Sequence, residues 1–134
     1  MTLVQIKEAL TAKVLDLWVG QPMELAYENV ESIDITDHPQ GVVRFIIDWD
    51  GSKQANLAEN PFHRKFGQAV FQIFLPVNSG NKKAYAVVDY LIANLGFKDL
   101  GALHLQTPSP GKAVTRNGWY SIELRIPFYN DSNT

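Results

Sequence analysis

The sequence predicts an α+β domain: a small antiparallel or mixed β-sheet with two helices packed on one face, in the order α-β-β-β-α-β-β. Three observations predict it. Two stretches, near residues 3–17 and 84–95, repeat apolar residues at helical spacing. Three stretches, at 42–49, 68–75 and 119–129, alternate with period two. The helical stripes need an apolar face to cover, and the alternating strands supply one.

In chain order, Thr2 caps a first helix, with Gln5 as its capping-box partner. Ile6, Leu10, Val14 and Leu17 form the stripe, Leu3 extends it, and Gly20 and Pro22 end the helix. Met23 to Val30 reads as a short strand. Residues 31–41 are polar and turn-rich. From Val42 to Trp49, Val43, Phe45, Ile47 and Trp49 share a face; Ile46 on the other face implies that it too is partly covered. Residues 50–63 (DGSKQANLAENPFH) lack periodicity and read as a long loop, of a length that in small domains is usually functional or disordered. Then Ala69, Phe71, Ile73 and Leu75 face one way, and Gln68 and Gln72 the other. Pro76 stops this strand because it has no N–H for the ladder. Asn78-Ser79-Gly80 is turn chemistry. Ala84, Val87, Val88, Leu91, Ile92 and Leu95 form the second stripe, closed by Gly96. Leu100 to Thr107 is a short strand with Leu103 and Leu105 inward and His104 on the polar face. Residues 107–118 (TPSPGKAVTRNG) form a second long loop. In the last strand Tyr120, Ile122, Leu124, Ile126 and Phe128 point inward, and Trp119, Ser121, Glu123 and Arg125 outward, the pattern of a sheet with one solvated or contact face. The final residues, NDSNT, are expected to fray.

The 134 residues suit one domain, 1–134, with no repeat or linker. Hydrophobic residues make up 46% and charged ones 19%, a globular balance. The net charge of −2 and the lack of a basic cluster argue against general nucleic-acid affinity. The absence of cysteine excludes disulfides, thiolate catalysis and thiolate metal sites. No apolar run approaches the ~20 residues that span a bilayer. No signal peptide is apparent, so cytosolic production is the expectation.

Little in the chain reads as chemistry. His38, His63 and His104 lie far apart and lack zinc-site spacing. Asp37-His38 could pair as an oriented base but reads more simply as a turn. Asp48 and Asp50 beside Gly51 hint at a calcium loop, yet the further ligand positions are missing, which leaves a strand end with an Asp-Gly turn. Gly67 stands alone, and neither a phosphate loop nor a nucleophile elbow occurs. Aromatic and basic residues interleave in PFHRKF, which suits either base stacking or an exposed loop with one docking aromatic. The expectation is therefore a protein without catalytic residues, cofactor or metal. The loop 50–63, mobile in the free subunit and ordered on assembly, and the polar sheet face supply the candidate interface: Phe62 as anchor, His63, Arg64 as ion-pair partner, Lys65, and Ser121, Glu123 and Arg125; the alternative is that Phe62 tucks under its own loop and Arg64 pairs within its own subunit.

One segment carries a family resemblance. In RKFGQAVFQIFLPVNSGNKKAYAVVDYLIANL, residues 64–95, an Arg and a Gly precede a strand, a Pro ends it, and a Gly-containing turn leads into a helix. With the opening helix, the Tyr27-Glu28-Asn29 strand, the strand from Phe45 to Trp49, and the closing Gly118-Trp119-Tyr120 to Ile126-Pro127-Phe128-Tyr129 strand, the chain resembles the tail terminator proteins of long-tailed bacteriophages. The resemblance implies a structural virion protein made in the bacterial host cytoplasm. Such proteins form a hexameric ring at the head-proximal end of the tail tube, stop its polymerisation and present a surface for head joining. The implied partners are further copies of the chain, with a monomer in dilute solution compatible with that role, the tail tube protein and the head–tail connector. DNA would pass through the lumen without specific binding. Two other readings stay open: another phage head–tail joining or tail tube protein, and a small-ligand-binding or enzymatic α+β domain.

Overall fold

The computed structural model describes residues 1–27, 38–54, 63–77, 80–116 and 118–132. Helix α1 (Leu3–Trp18) begins at the reciprocal cap that the sequence offers. The Gln5 N–H donates to Thr2 Oγ1 at 3.2 Å, and the Thr2 N–H donates to Gln5 Oε1 at 2.8 Å. Ile6, Leu10, Val14 and Leu17 are buried as the stripe requires. Leu3 does not extend it and is 52% exposed. A helical side chain covers the turn preceding its own, and the first residue of a helix has no such turn. At the other end the Tyr90 hydroxyl donates to the Leu17 carbonyl at 2.6 Å. That bond satisfies one of the carbonyls a helix terminus leaves over and ties α1 to α2 (Lys82–Leu95).

The sheet is mixed. Strand β1 (Glu24–Tyr27) runs parallel to β2 (Val42–Gln54), which pairs antiparallel with β3 (His63–Pro76). Between β1 and β2, the expected strand residues 28–30 and the turn through 37 lie outside the described residues. The ladder of β2 and β3 corrects the long loop expected at 50–63. It continues past Trp49 through a bulge between Trp49 and Gly51 and reaches Gln54 opposite His63. Side-chain alternation stops at Asp50, but backbone hydrogen bonding does not require apolar side chains, and a bulge lets the pairing resume after an extra residue. The rest of that loop, Phe62 included, lies outside the described residues.

After α2 the chain forms β4 (Asp99–Leu100), β5 (Leu103–Leu105), β6 (Ser109–Pro110), β7 (Val114–Arg116) and β8 (Trp119–Ser132). The strand expected at 100–107 is thus split at Gly101, whose φ of 63° turns β4 back on β5. The second expected loop also pairs: β5, β6 and β7 lie in succession along one edge of β8, whose other edge carries β3. Pro108 and Pro110 lack the N–H that a continuous strand needs, so the edge is filled in pieces. Of the residues expected to fray, 130–132 instead pair with β3, and the last two lie outside the described residues. Asn130 is fully buried, its Nδ2 donating to the Ala102 carbonyl at 2.9 Å while its Oδ1 accepts from the Met1 nitrogen at 3.1 Å.

The sheet order is β1-β2-β3-β8-β5-β4. Both helix stripes, the odd-numbered apolar residues of β2 and β3 and the even-numbered apolar residues of β8 join in a single core on one face. Phe45 and Phe71 stack at 5.2 Å within it. Phe71, Ile73, Leu91, Ile122 and Leu124 are all buried, as the alternation and helical spacing require. Gly67 is demanded by the β2–β3 approach: a Cβ there would meet the Asp48 carbonyl oxygen at 2.6 Å.

The exit from α2 departs from the expected glycine cap. The Gly96 N–H does close the helix, donating to the Ile92 carbonyl at 2.9 Å, but its φ is −61°. The left-handed conformation falls on Phe97, at φ 58°. Glycine stands one residue earlier because a Cβ at 96 would lie 2.9 Å from Pro108 Cγ. Phe97 is 72% exposed, so packing does not explain its strain.

Two stability measurements follow from this core. Leu91→Ala should lose about 2–5 kcal/mol in urea denaturation, the range for a buried leucine. Phe97→Gly should gain about 0.5–1 kcal/mol, because it relieves a left-handed conformation that costs an L-residue about 1–2 kcal/mol while giving back part of that as chain entropy.

Candidate functional site

The even-numbered residues of β2 and β3 and the odd-numbered residues of β8 make the second sheet face. Among the described residues no helix lies on it. Register sets its rows across β2, β3 and β8: Val42–Phe74–Ser121, Arg44–Gln72–Glu123, Ile46–Val70–Arg125 and Asp48–Gln68–Pro127. Val42 and Val70 are buried there, outside the main core, and Ile46 is half-buried, consistent with the partial cover expected at Ile46.

Arg125 organises the middle of this face. Its Nη1 donates to Asp48 Oδ2 at 2.9 Å and to Gln68 Oε1 at 2.6 Å, and its Nε donates to Glu123 Oε1 at 2.5 Å. Hydrogen bonds to Asp48 and Glu123 hold the guanidinium above its ordinary pKa. Gln72 Nε2 reaches Glu123 Oε2 at 3.5 Å. The calcium-loop geometry considered for Asp48 and Asp50 is replaced by this ion pair and by the bulge. Among the described residues no group of three or more histidine or acidic side chains is placed to hold a metal ion.

Toward β5 lies a row of stacked groups. Arg64 makes two bonds to Asp131, Nε to Oδ1 at 2.8 Å and Nη2 to Oδ2 at 2.9 Å. Its guanidinium carbon sits 4.4 Å from the centre of the Tyr129 ring. His104 packs against Tyr129 at 4.9 Å and its Nδ1 lies 2.7 Å from Asp99 Oδ1. An open cleft of about 550 Å³ beside this row is lined by Phe97, Asp99, His104, Gln106, Pro127 and Tyr129, among others. At the opposite end a second cleft, about 400 Å³, lies among Phe74, Val114, Arg116, Trp119 and Ser121, with the Phe74 and Trp119 rings edge-to-face at 5.9 Å.

The candidate interface residues separate accordingly. Arg64, Ser121, Glu123 and Arg125 share the helix-free face. Lys65 belongs to the other side of β3, where its Nζ donates to the Met1 carbonyl at 2.9 Å. His63 pairs through its backbone with Gln54 and Ser132, and its side chain lies outside the described residues, as does Phe62. Arg64 is engaged within its own chain by Asp131 and Tyr129. His104 is on the polar face, as its alternation with Leu103 and Leu105 requires. His38 Nδ1 lies 2.8 Å from Glu24 Oε2 but without hydrogen-bond geometry, and Asp37 lies outside the described residues. Tyr129, Gln68 and Gln72 were not among the candidate interface residues, although the alternation already put Gln68 and Gln72 on this side of their strand. Their shared signal was placement on the polar side of alternating strands, which register turns into adjacency.

No family model matches the sequence, and no curated protein is similar to it. Among solved structures that share the fold, one superposes with a TM-score of 0.73 over 97% of this chain and 96% of that chain, at 15% sequence identity. Likeness at that identity speaks to the α+β fold, which the two helices on a mixed sheet define.

Asp131 provides a pH test of the Arg64 row. Bonding to Arg64 holds its carboxyl below the ordinary 3.8. A lowered carboxyl contributes stability above its unfolded value and loses it as pH falls through the native one. Carbonyl-detected NMR titration should find Asp131 titrating below 3.8 in the native protein and returning to the ordinary range in Arg64→Ala.

Proposed function

We propose that this chain is a tail terminator subunit of a long-tailed phage, prophage or tail-like particle. In this role it caps the tail tube as a homo-hexameric ring and provides the surface for head joining. The observation that carries the reading is a large sheet face without helices, bounded by strand edges that have no partner among the described residues. Beyond β1 on one side, and beyond β4, β6 and β7 on the other, backbone groups are available for pairing with another chain. Strand addition and a wide polar face suit association with other proteins. The resemblance of the strand, turn and helix at 64–95 to the terminator family supplies the particular assembly. A heterologous contact repeated around a closing rotation makes a ring. The net charge of −2 on each chain is compatible with DNA passing without adhesion, since phosphate and carboxylate repel.

The decisive experiment images tails assembled with and without the protein. Without it, tubes should overgrow their normal length or fail to join heads, and adding the purified protein should restore both. Normal-length, head-joined tails in its absence would overturn the assignment. In the tube-protein reading, by contrast, the purified chain should polymerise into filaments by itself.

A further inference from the structure

Helix α1 carries a second apolar stripe. At about 100° per residue, Val4, Leu15 and the capping residue Val19 fall within one narrow arc, almost opposite the buried stripe. They are 61%, 52% and 81% exposed. Isolated exposed apolar residues are ordinary; an aligned set on the solvent side of a helix is not. Glu8 lies within the same arc between Val4 and Leu15, with Thr11 at its margin, so the stripe reads apolar, polar, apolar along the helix.

The helix-free sheet face has the same order. Phe74 and Trp119 form one apolar end, the middle carries Arg44, Gln72, Glu123 and Arg125 with the buried Val70 and half-buried Ile46 beneath them, and Phe66, Pro127 and Tyr129 form the other end. The lengths agree. Val4 to Val19 spans about 22 Å at the helical rise, and Phe74 to Phe66 about 26 Å at the strand rise. The charges agree as well. Arg44 is half-buried on this face without an ion-pair partner among the described residues, whereas Arg125 is fully engaged. Glu8 on the helix is likewise unpaired among the described residues. With Val4 placed on Phe74, Glu8 lies about 6 Å along the helix, and Arg44 lies about 7 Å along the sheet.

The geometry points to a second copy of this chain as the occupant. Its α1 lies along the helix-free face, with Val4 toward Phe74 and Trp119, Glu8 against Arg44, and Leu15 and Val19 toward Gln68 and Pro127. The added helix supplies a third layer to the sheet. The contact is heterologous, helix of one copy to sheet of the next, and can therefore repeat around a ring. It rests on the ring reading above and names the surfaces through which neighbouring subunits meet.

Because the chain has no cysteine, disulfide trapping tests this contact on a clean background. A Leu15→Cys protein is mixed with a Gln68→Cys protein under mild oxidation, both at high concentration alone and on purified tail tubes. Lys13→Cys, on a different side of α1, replaces Leu15→Cys in the control. The Leu15–Gln68 pair should give at least tenfold more cross-linked dimer than the control in one of the two settings. A yield no higher than the control in both overturns the contact. In parallel, Arg44→Glu and Glu8→Arg should each reduce ring formation at tube ends at least tenfold, and the double variant should restore it; loss without restoration also overturns the contact. Normal tail termination by Leu15→Asp would remove this contact while leaving the terminator reading intact. Cross-linking with tails indifferent to the protein would do the reverse.

Discussion

Everything in this domain depends on the register of β3. Among the described residues it is the strand flanked by two long strands, β2 and β8, and each of its residues from His63 to Pro76 has a partner on β8. Period-two alternation then sorts the molecule. Ala69, Phe71, Ile73 and Leu75 meet the helices, and Gln68, Val70, Gln72 and Phe74 meet the opposite face. A slip of one residue would exchange the two sets and place glutamines under α1 and α2. Gly67 guards that register at the point where the β2 bulge brings the Asp48 carbonyl closest, because any larger residue would push the strands apart.

The same register explains why charged groups on the helix-free face are so well matched. Arg125 stands beside Val70 and diagonally between Asp48, Gln68 and Glu123, so one guanidinium bridges three strands. Partly exposed ion pairs contribute little stability, typically ~0–1 kcal/mol each. Their larger effect is on shape and charge. They hold long side chains down along the sheet and neutralise the centre, leaving apolar clusters at both ends and Arg44 as a cation without an ion-pair partner among the described residues. A face arranged in that way suits docking of another surface better than it suits transformation of a small molecule, whose sites are usually concave and enclosed.

The proposed role as a tail terminator places these features in an assembly. Short, interrupted edge strands limit uncontrolled pairing, as edges of natural sheets commonly do. β6 ends in Pro110 and is separated from β7 by Gly111, Lys112 and Ala113, which breaks the edge. A subunit with a weakly templating edge and a patterned face can remain separate in dilute solution and associate where a tube end gathers several copies, since each docking event costs translational freedom.

Local pattern alone determined the helices, the main strands and the face each residue occupies. Thr2 and Gln5 specify the α1 cap within four residues, and the stripes from Ile6 to Leu17 and from Ala84 to Leu95 specify what is buried, because these depend on the fixed geometry of a helix. His104 and Arg125 could be put on the polar face for the same reason. The partners of those residues were decided only in three dimensions. Arg64 to Asp131, Arg125 to Asp48 and His104 to Tyr129 join residues far apart in the chain, or on different strands, and sequence carries no register. Strand length was likewise tertiary: β2 runs on to Gln54, and the proline-rich segment 107–116 pairs along β8, because an available edge rewards backbone hydrogen bonds whatever the side chains. The cap of α2 makes the same point at a single residue. A glycine at the helix end was legible, but the contact with Pro108 decided that Gly96 would be extended and that Phe97 would bear the left-handed turn.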